Sequence, residues 1–138
     1  MIIYQDHLQG ITESSVAPGF FDGWPNPPSP AVLIRLLANS TFIILAIDAD
    51  TKRMIGFINC LSDKVLTAYI PLLEVIPDYQ GRGIGKELTA RMLERLKGLY
   101  MVDLLCDPDV QEFYARLGMK KATGMLMRNY EHQSGAEQ

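Results

Sequence analysis

One junction constrains this chain more than any other feature. An apolar run from Leu66 to Ile76 meets Pro77-Asp78-Tyr79-Gln80, and Gly81, Gly83 and Gly85 then lead into a periodic stretch from Gly83 to Lys97. Glycine accepts positive φ and lets main-chain N–H groups approach a ligand with no Cβ in the way. A helix start leaves about four N–H groups without intrahelical partners, at the positive end of the macrodipole. An extended run, a glycine loop and a helix in that order predict an anion site, most naturally for a pyrophosphate.

Two common phosphate loops do not fit. A Walker-type loop needs Gly, four residues, then Gly-Lys-Ser/Thr. Counting back from Gly85-Lys86 puts Gln80 at the first glycine, and Glu87 stands where the hydroxyl belongs. The dinucleotide fingerprint Gly-x-Gly-x-x-Gly fails at its third glycine, which is Lys86 here.

The stretch Val75-Ile76-Pro77 followed by Gln80-Gly81-Arg82-Gly83-Ile84-Gly85 resembles motif A of the GNAT superfamily of N-acetyltransferases, Gln/Arg-x-x-Gly-x-Gly/Ala. Asp107 to Met119 resembles a second signature of that superfamily, with Tyr114 on its tyrosine and Gly118 on its glycine. Asp107, Val110 and Met119 stand where Asn, Ala and Phe are usual.

The resemblance implies one α/β (α+β) domain: a central mixed twisted sheet, helices on both faces, and a splayed strand pair that admits the cofactor arm. It divides the chain into N-terminal helices and a Pro/aromatic loop (1–40), a core sheet with the loop and helix (41–106), a second helix and closing strand (107–130), and a tail (131–138). It also implies transfer of an acetyl group from acetyl-CoA to a primary amine, on a small molecule or a protein, by direct attack in a ternary complex. A CoA-binding sensor without turnover would use the same loop and is the alternative.

Composition sets outer limits. The chain has 138 residues, enough for one domain with a core. Its net charge of −3 gives no support to nucleic-acid binding and mildly suits a cationic amine. No apolar run approaches the roughly 18 residues of a membrane span. The N-terminus lacks the basic and apolar regions of a signal peptide. Cys60 and Cys106 read as reduced thiols of a cytoplasmic protein, and the isolated His7 and His132 offer no metal-ligand spacing. A homodimer is the default assembly.

In chain order, residues 1–16 read as a short strand and a helix. The stretch 18–30 holds five of the eight prolines and cannot be a regular element. Phe21 and Trp24 on it read equally well as a substrate-pocket wall or as core. Pro30 to Ala38 reads as a helix, with Ser29 as cap and Asn39 as stop. Thr41–Ile47 and Met54–Leu61 form a hairpin. Leu66–Ile76 reads as a central strand flawed by Pro71, where a ladder donor is missing. In the helix after the glycines, Ile84, Leu88, Met92, Leu93 and Leu96 share one face. Leu99–Cys106 reads as a parallel neighbour reached by a βαβ crossover. Asp107-Pro108 opens a helix with Val110, Phe113, Tyr114 and Leu117 on one face and Gly118 at its end. Met119–Arg128 reads as a final strand or bent strand pair.

The site residues follow from the resemblance together with the chemistry. Gln80, Gly81, Arg82, Gly83, Gly85 and Lys86 would hold the phosphates. Main-chain groups of Leu73 and Val75 would pair with pantetheine amides like a missing strand, with Asp107 at the second-signature contact. The Val75 N–H would meet the oxyanion. Tyr114 would protonate the departing thiolate; its other reading is a core aromatic. Glu74, on the opposite strand face from Leu73 and Val75, would take the ammonium proton, with a water relay as the alternative.

Overall fold

The computed structural model describes residues 1–137. A six-stranded sheet runs β1 (Ile2–Gln5), β2 (Phe42–Asp48), β3 (Arg53–Ser62), β4 (Thr67–Tyr69) and β6 (Met101–Asp103) from edge to edge, and β5 (Leu73–Val75) also pairs with β3. All pairings are antiparallel except β4 with β6. Helix α1 (Pro30–Ala38) covers one face and α2 (Ile84–Arg95) the other.

Local chemistry explains these elements. The Ser29 hydroxyl accepts the Val32 N–H at 3.2 Å and Pro30 presets the first turn of α1. Leu33 and Leu37 of α1 pack with Phe21, Leu45 and Phe57. Ile84, Leu88 and Met92 of α2, with Leu96 at its C-terminal cap, pack with Ile44, Ala46, Ile58 and Cys60. Leu93 lies at the margin of that face. Fully buried Thr89 hides its hydroxyl by donating to the Gly85 carbonyl at 2.8 Å.

The expected central strand from 66 to 76 is two strands. Residues 70–72 break it, and β4 and β5 meet β3 at separate places: Leu61 and Ser62 for β4, Gly56 to Ile58 for β5. Pro71 cannot donate. Asn59 closes the break, its Oδ1 accepting the Leu72 N–H at 3.1 Å and its own N–H donating to the Leu72 carbonyl at 3.2 Å. The parallel neighbour of β6 is therefore β4, before the break, and not β5.

Four other expectations are corrected. The helix expected within 1–16 is only a 3-10 turn at Glu13–Ser15. The strand expected at 99–106 is ladder-bonded only over Met101–Asp103. Asp107 makes no side-chain cap; a 3-10 turn (Pro108–Val110) leads into a short α3 (Gln111–Ala115) because Pro108 and Gly118, at φ +100°, hold both ends. Residues 119–128 form no strand, since no segment of the sheet pairs with them.

Candidate active site

The glycine loop is braced from three sides. Gln80 Nε2 donates to the Val75 carbonyl at 2.8 Å. The Tyr79 hydroxyl donates to the Asp48 carboxylate, tying the loop to the end of β2 and holding the Asp48 pKa down. Arg82 donates to the Asp78 carbonyl at 3.1 Å and stacks over the Tyr79 ring. With these braces Gly81 and Gly83 sit at φ of +77° and +82°, a conformation that favours glycine.

The amides this loop presents are bare. The first bond into α2 runs from the Glu87 N–H to the Gly83 carbonyl at 3.0 Å, and Gly83 gives no side-chain cap. Among the described residues, no carbonyl or carboxylate accepts from the N–H groups of Gly81 to Lys86. No atom lies within 4 Å of where a Cβ on Gly81 or Gly83 would stand, so the loop borders open space. A Cβ on Gly85 would instead make ordinary contacts with Val75 Cγ2 at 3.9 Å and Phe113 Cζ at 4.0 Å, so this glycine faces the protein and not open space. The exposed Lys86 ammonium has no partner among the described residues.

Strand β5 has one free edge. The Ile76 N–H donates to the Ile55 carbonyl at 3.0 Å and the Asn59 N–H to the Leu72 carbonyl at 3.2 Å. Leu72, Glu74 and Ile76 thus face β3, and antiparallel alternation turns the main-chain groups of Leu73 and Val75 outward. Gln80 takes the Val75 carbonyl; the Val75 N–H and both Leu73 main-chain groups have no partner among the described residues. The departure of β4 opens a cleft of about 1220 Å³ beside this edge, lined by Pro71, Leu73, Glu74, Cys106, Asp107 and Tyr114.

Two titratable groups of interest line the cleft. Tyr114 on α3 stacks edge-on against Phe113, with ring centroids 5.0 Å apart. Its hydroxyl has no hydrogen-bond partner among the described residues, unlike a tyrosine satisfied within a core. Burial, with a smaller contribution from Cys106, pushes its pKa up and keeps it protonated. Glu74 lies opposite Phe57 in the ladder. Its Oε1 accepts the Phe21 N–H at 2.8 Å. Desolvation pushes the Glu74 pKa up, against the Phe21 hydrogen bond, and Asp22 adds to the rise.

The family model described as "Acetyltransferase (GNAT) family" matches residues 11–119. The chain belongs to the GNAT acetyltransferase family. A Deinococcus radiodurans R1 crystal structure assigned to the acetyltransferases is 48% identical, with a TM-score of 0.93 over 99% of this chain and 94% of that one. A GNAT acetyltransferase structure from Streptococcus pneumoniae TIGR4 is 27% identical, with a TM-score of 0.69 over 94% of this chain and 98% of that one. The uncharacterised N-acetyltransferase ycf52 of Pyropia yezoensis is 36% identical over 104 residues, covering 72% of this chain and 59% of the relative. The chain thus spans about three fifths of the length of that curated relative.

Within this GNAT domain the two aromatic candidates separate. Phe21 is 2% exposed and packs against Phe57 and Trp24, so it belongs to the core and supplies only its N–H to the site. Trp24, half-buried, lines the cleft. The structure brings Leu73, Glu74, Asp107 and Tyr114 into one cleft, with Gly81 and Gly83 on the adjoining loop. Arg82 is engaged with its own loop, leaving Lys86 as the unengaged cation. Sequence reasoning missed Asn59 and Cys106. A single amide inside the apolar run Met54–Leu61 was the available signal for Asn59; nothing local marked Cys106. Among the described residues, no cluster of three or more His, Cys, Asp or Glu could hold a metal ion, and no helix is long and apolar enough to cross a membrane.

Proposed function

We propose that this GNAT domain is an acetyl-CoA-dependent N-acetyltransferase acting on a primary amine, and that it works in the cytoplasm, where its two unpaired cysteines stay reduced. The observation that carries the reading is the continuity of two unsatisfied backbone surfaces, the bare amides at the start of α2 and the free outer edge of β5. A diphosphate on the first places a pantetheine arm along the second, where peptide-like amides complete the ladder.

The residues then take distinct parts. Gly81 and Gly83 present N–H groups to the diphosphate, and Lys86 adds positive charge. The Leu73 main chain aligns the arm. The Val75 N–H donates to the oxygen that gains charge as the amine attacks the thioester carbonyl. Glu74 accepts the ammonium proton, directly or through water, and its raised pKa brings it nearer the pH at which the enzyme works. The Phe21 N–H fixes the rotamer of that carboxylate. Tyr114 gives its proton to the leaving thiolate. Trp24 forms part of the acceptor wall.

The test has two stages. Acetyl-CoA and CoA should stabilise the protein in a thermal melt while NAD and ATP should not; ligand at about a hundred times its Kd adds roughly 2.7 kcal/mol. Thiol release from acetyl-CoA is then followed across a panel of amines. No shift with CoA species would refute the cradle, and binding without thiol release from any amine would leave a sensor in place of an enzyme.

A further inference from the structure

A second hollow, of about 890 Å³, shares no lining residue with the cofactor cleft and lies where β1 stops. β1 pairs with β2 as far as Gln5 opposite Leu45 and then turns away, although β2 extends to Phe42. The Ala49 N–H donates to the Met1 carbonyl at 2.9 Å, so alternation turns the main-chain groups of Ile47, Leu45 and Ile43 to the β1 side. The other neighbour agrees: Asn59, opposite Ile43, gives its N–H to Leu72 and not to β2. The ladder partner of Ile43 would be His7. Gln5 Nε2 takes the His7 carbonyl at 2.8 Å instead, and His7 Nδ1 takes the Gln9 N–H at 3.3 Å. The Ile43 N–H and C=O therefore have no partner among the described residues, on a residue only 7% exposed. Buried main-chain groups left without partners are rare, because each costs about as much as a lost hydrogen bond.

Two kinds of surface flank this slot. On the α1 side, where Ile43 sends its own side chain, Leu8, Leu37 and Ala38 form an apolar wall. On the α2 side two guanidinium groups lie over aromatic rings, Arg91 over Tyr4 at 4.4 Å and Arg95 over Phe42 at 4.6 Å. Glu87 binds Arg91 at 2.8 Å, whereas the carboxylate nearest Arg95 is Asp6 at 4.0 Å, so Arg95 keeps donors for a ligand. Lys64 also lines the hollow and makes no ion pair among the described residues. Glu94, the other acid in the lining, is held by Lys97.

We propose that this slot binds an apolar α-amino acid in its zwitterionic form. One residue placed opposite Ile43 completes the ladder by itself: its carboxylate accepts the Ile43 N–H and its ammonium donates to the Ile43 carbonyl. Arg95 and Lys64 add positive charge beside the carboxylate, and Asp6 balances the ammonium. The side chain lies on the same face as that of Ile43 and meets Leu8, Leu37 and Ala38. The slot takes a single residue because the next position along β2 is already closed by Gln5. The site is separate from the cleft, and the inference does not depend on the proposed activity.

Amide NMR on the isotope-labelled full chain tests it. L-Leucine should shift the Ile43 amide resonance saturably. Leucinamide, which keeps the ammonium and the side chain but lacks the carboxylate, should leave that resonance in place, and so should glycine, which lacks the side chain. Arg95→Gln should raise the Kd for leucine about tenfold or more, as for a lost hydrogen bond to a charged group. Ala38→Trp, which fills the slot from an exposed position, should abolish the shift. The ligand comparison is made on the wild type, so it holds whether or not either variant folds. No saturable shift at Ile43, an equal response to leucinamide, or shifts confined to Leu73 and Tyr114 would each overturn the proposal; the last would make leucine a ligand of the cleft and leave the slot to water.

Discussion

Replacing Gly83 by valine separates ligand recognition from backbone strain. Gly83 sits at φ +82°, where an L side chain costs about 1–2 kcal/mol and a β-branched one at least that. No protein atom lies within 4 Å of the new Cβ, so the strain is the only cost in the ligand-free protein. Gly10 provides a matched control: its φ is +81°, its Cβ would also meet nothing, and it lies outside the loop. Gly10→Val and Gly83→Val should therefore lose similar stability, with Tm falling by about 4–8 °C at roughly 4 °C per kcal/mol. CoA affinity should divide them. A branched side chain over the loop displaces the diphosphate from one amide, and a hydrogen bond to a charged group contributes about 1.5–3 kcal/mol. That corresponds to roughly a 10- to 150-fold rise in Kd at 1.4 kcal/mol per decade. Isothermal titration with CoA reads the Kd, and a melt without ligand reads the strain. If Gly83→Val binds CoA like the wild type, or Gly10→Val loses as much affinity, the loop does not hold the phosphates.

The remaining predictions concern the cleft and its supports. Tyr114→Phe should lower kcat with the true acceptor by about 10²-fold or more while CoA affinity stays within a factor of a few, as for a lost general acid; equal rates would remove Tyr114 from the reaction. Glu74→Gln should flatten the acidic limb of the kcat/KM profile, and in the wild type that limb should lie above the ordinary carboxylate range, because burial raises the Glu74 pKa. Stability gives a second readout of the same group. A carboxyl whose folded pKa is raised contributes stability fully below its unfolded pKa of about 4.3 and loses it as pH rises through the folded value. Glu74→Gln should therefore gain stability relative to the wild type as pH increases across that window, as read in denaturant melts. Leu88→Ala empties a fully buried position of α2 and should cost about 2–5 kcal/mol.

The legible parts of the fold were those with local determinants. Ser29, Pro30 and Asn39 carry the start and stop of α1 in their own chemistry, and the apolar spacing from Ile84 to Leu96 states which face of α2 is buried. The glycine loop was legible for the same reason, since positive φ is a property of single residues. What failed depended on partners distant in sequence. Leu99–Cys106 has strand composition throughout, yet only three of its residues find a ladder. Phe21 and Trp24 lie three residues apart on one loop, and residues distant in sequence, Leu33, Leu37 and Leu45 with Phe57 on β3, form the core around the first. Glu74 is half-buried because the Phe21 N–H folds back onto it, a contact spanning 53 residues that no local pattern announces.

The break before β5 shows how such a distant contact builds the site. A continuous strand from Leu66 to Ile76 would pair along all of β3 and leave no gap for a ligand. Pro71 removes one donor, but a missing donor alone would leave 70–72 as a loose bulge. Asn59 makes the break a fixed geometry: it is 4% exposed, its amide nitrogen is satisfied by Ser40, and its carbonyl receives Leu72 where the chain rejoins the ladder. That contact sets the alternation of β5, so that Glu74 faces β3 while Leu73 and Val75 turn their main-chain groups to the cleft. One residue of slip would exchange the two sets and point the Glu74 side chain toward α2. The free edge beside the glycine loop therefore depends on a polar side chain in the middle of an apolar strand. A buried amide is costly unless its bonds are made, and the bonds Asn59 makes are the ones that hold the cleft open.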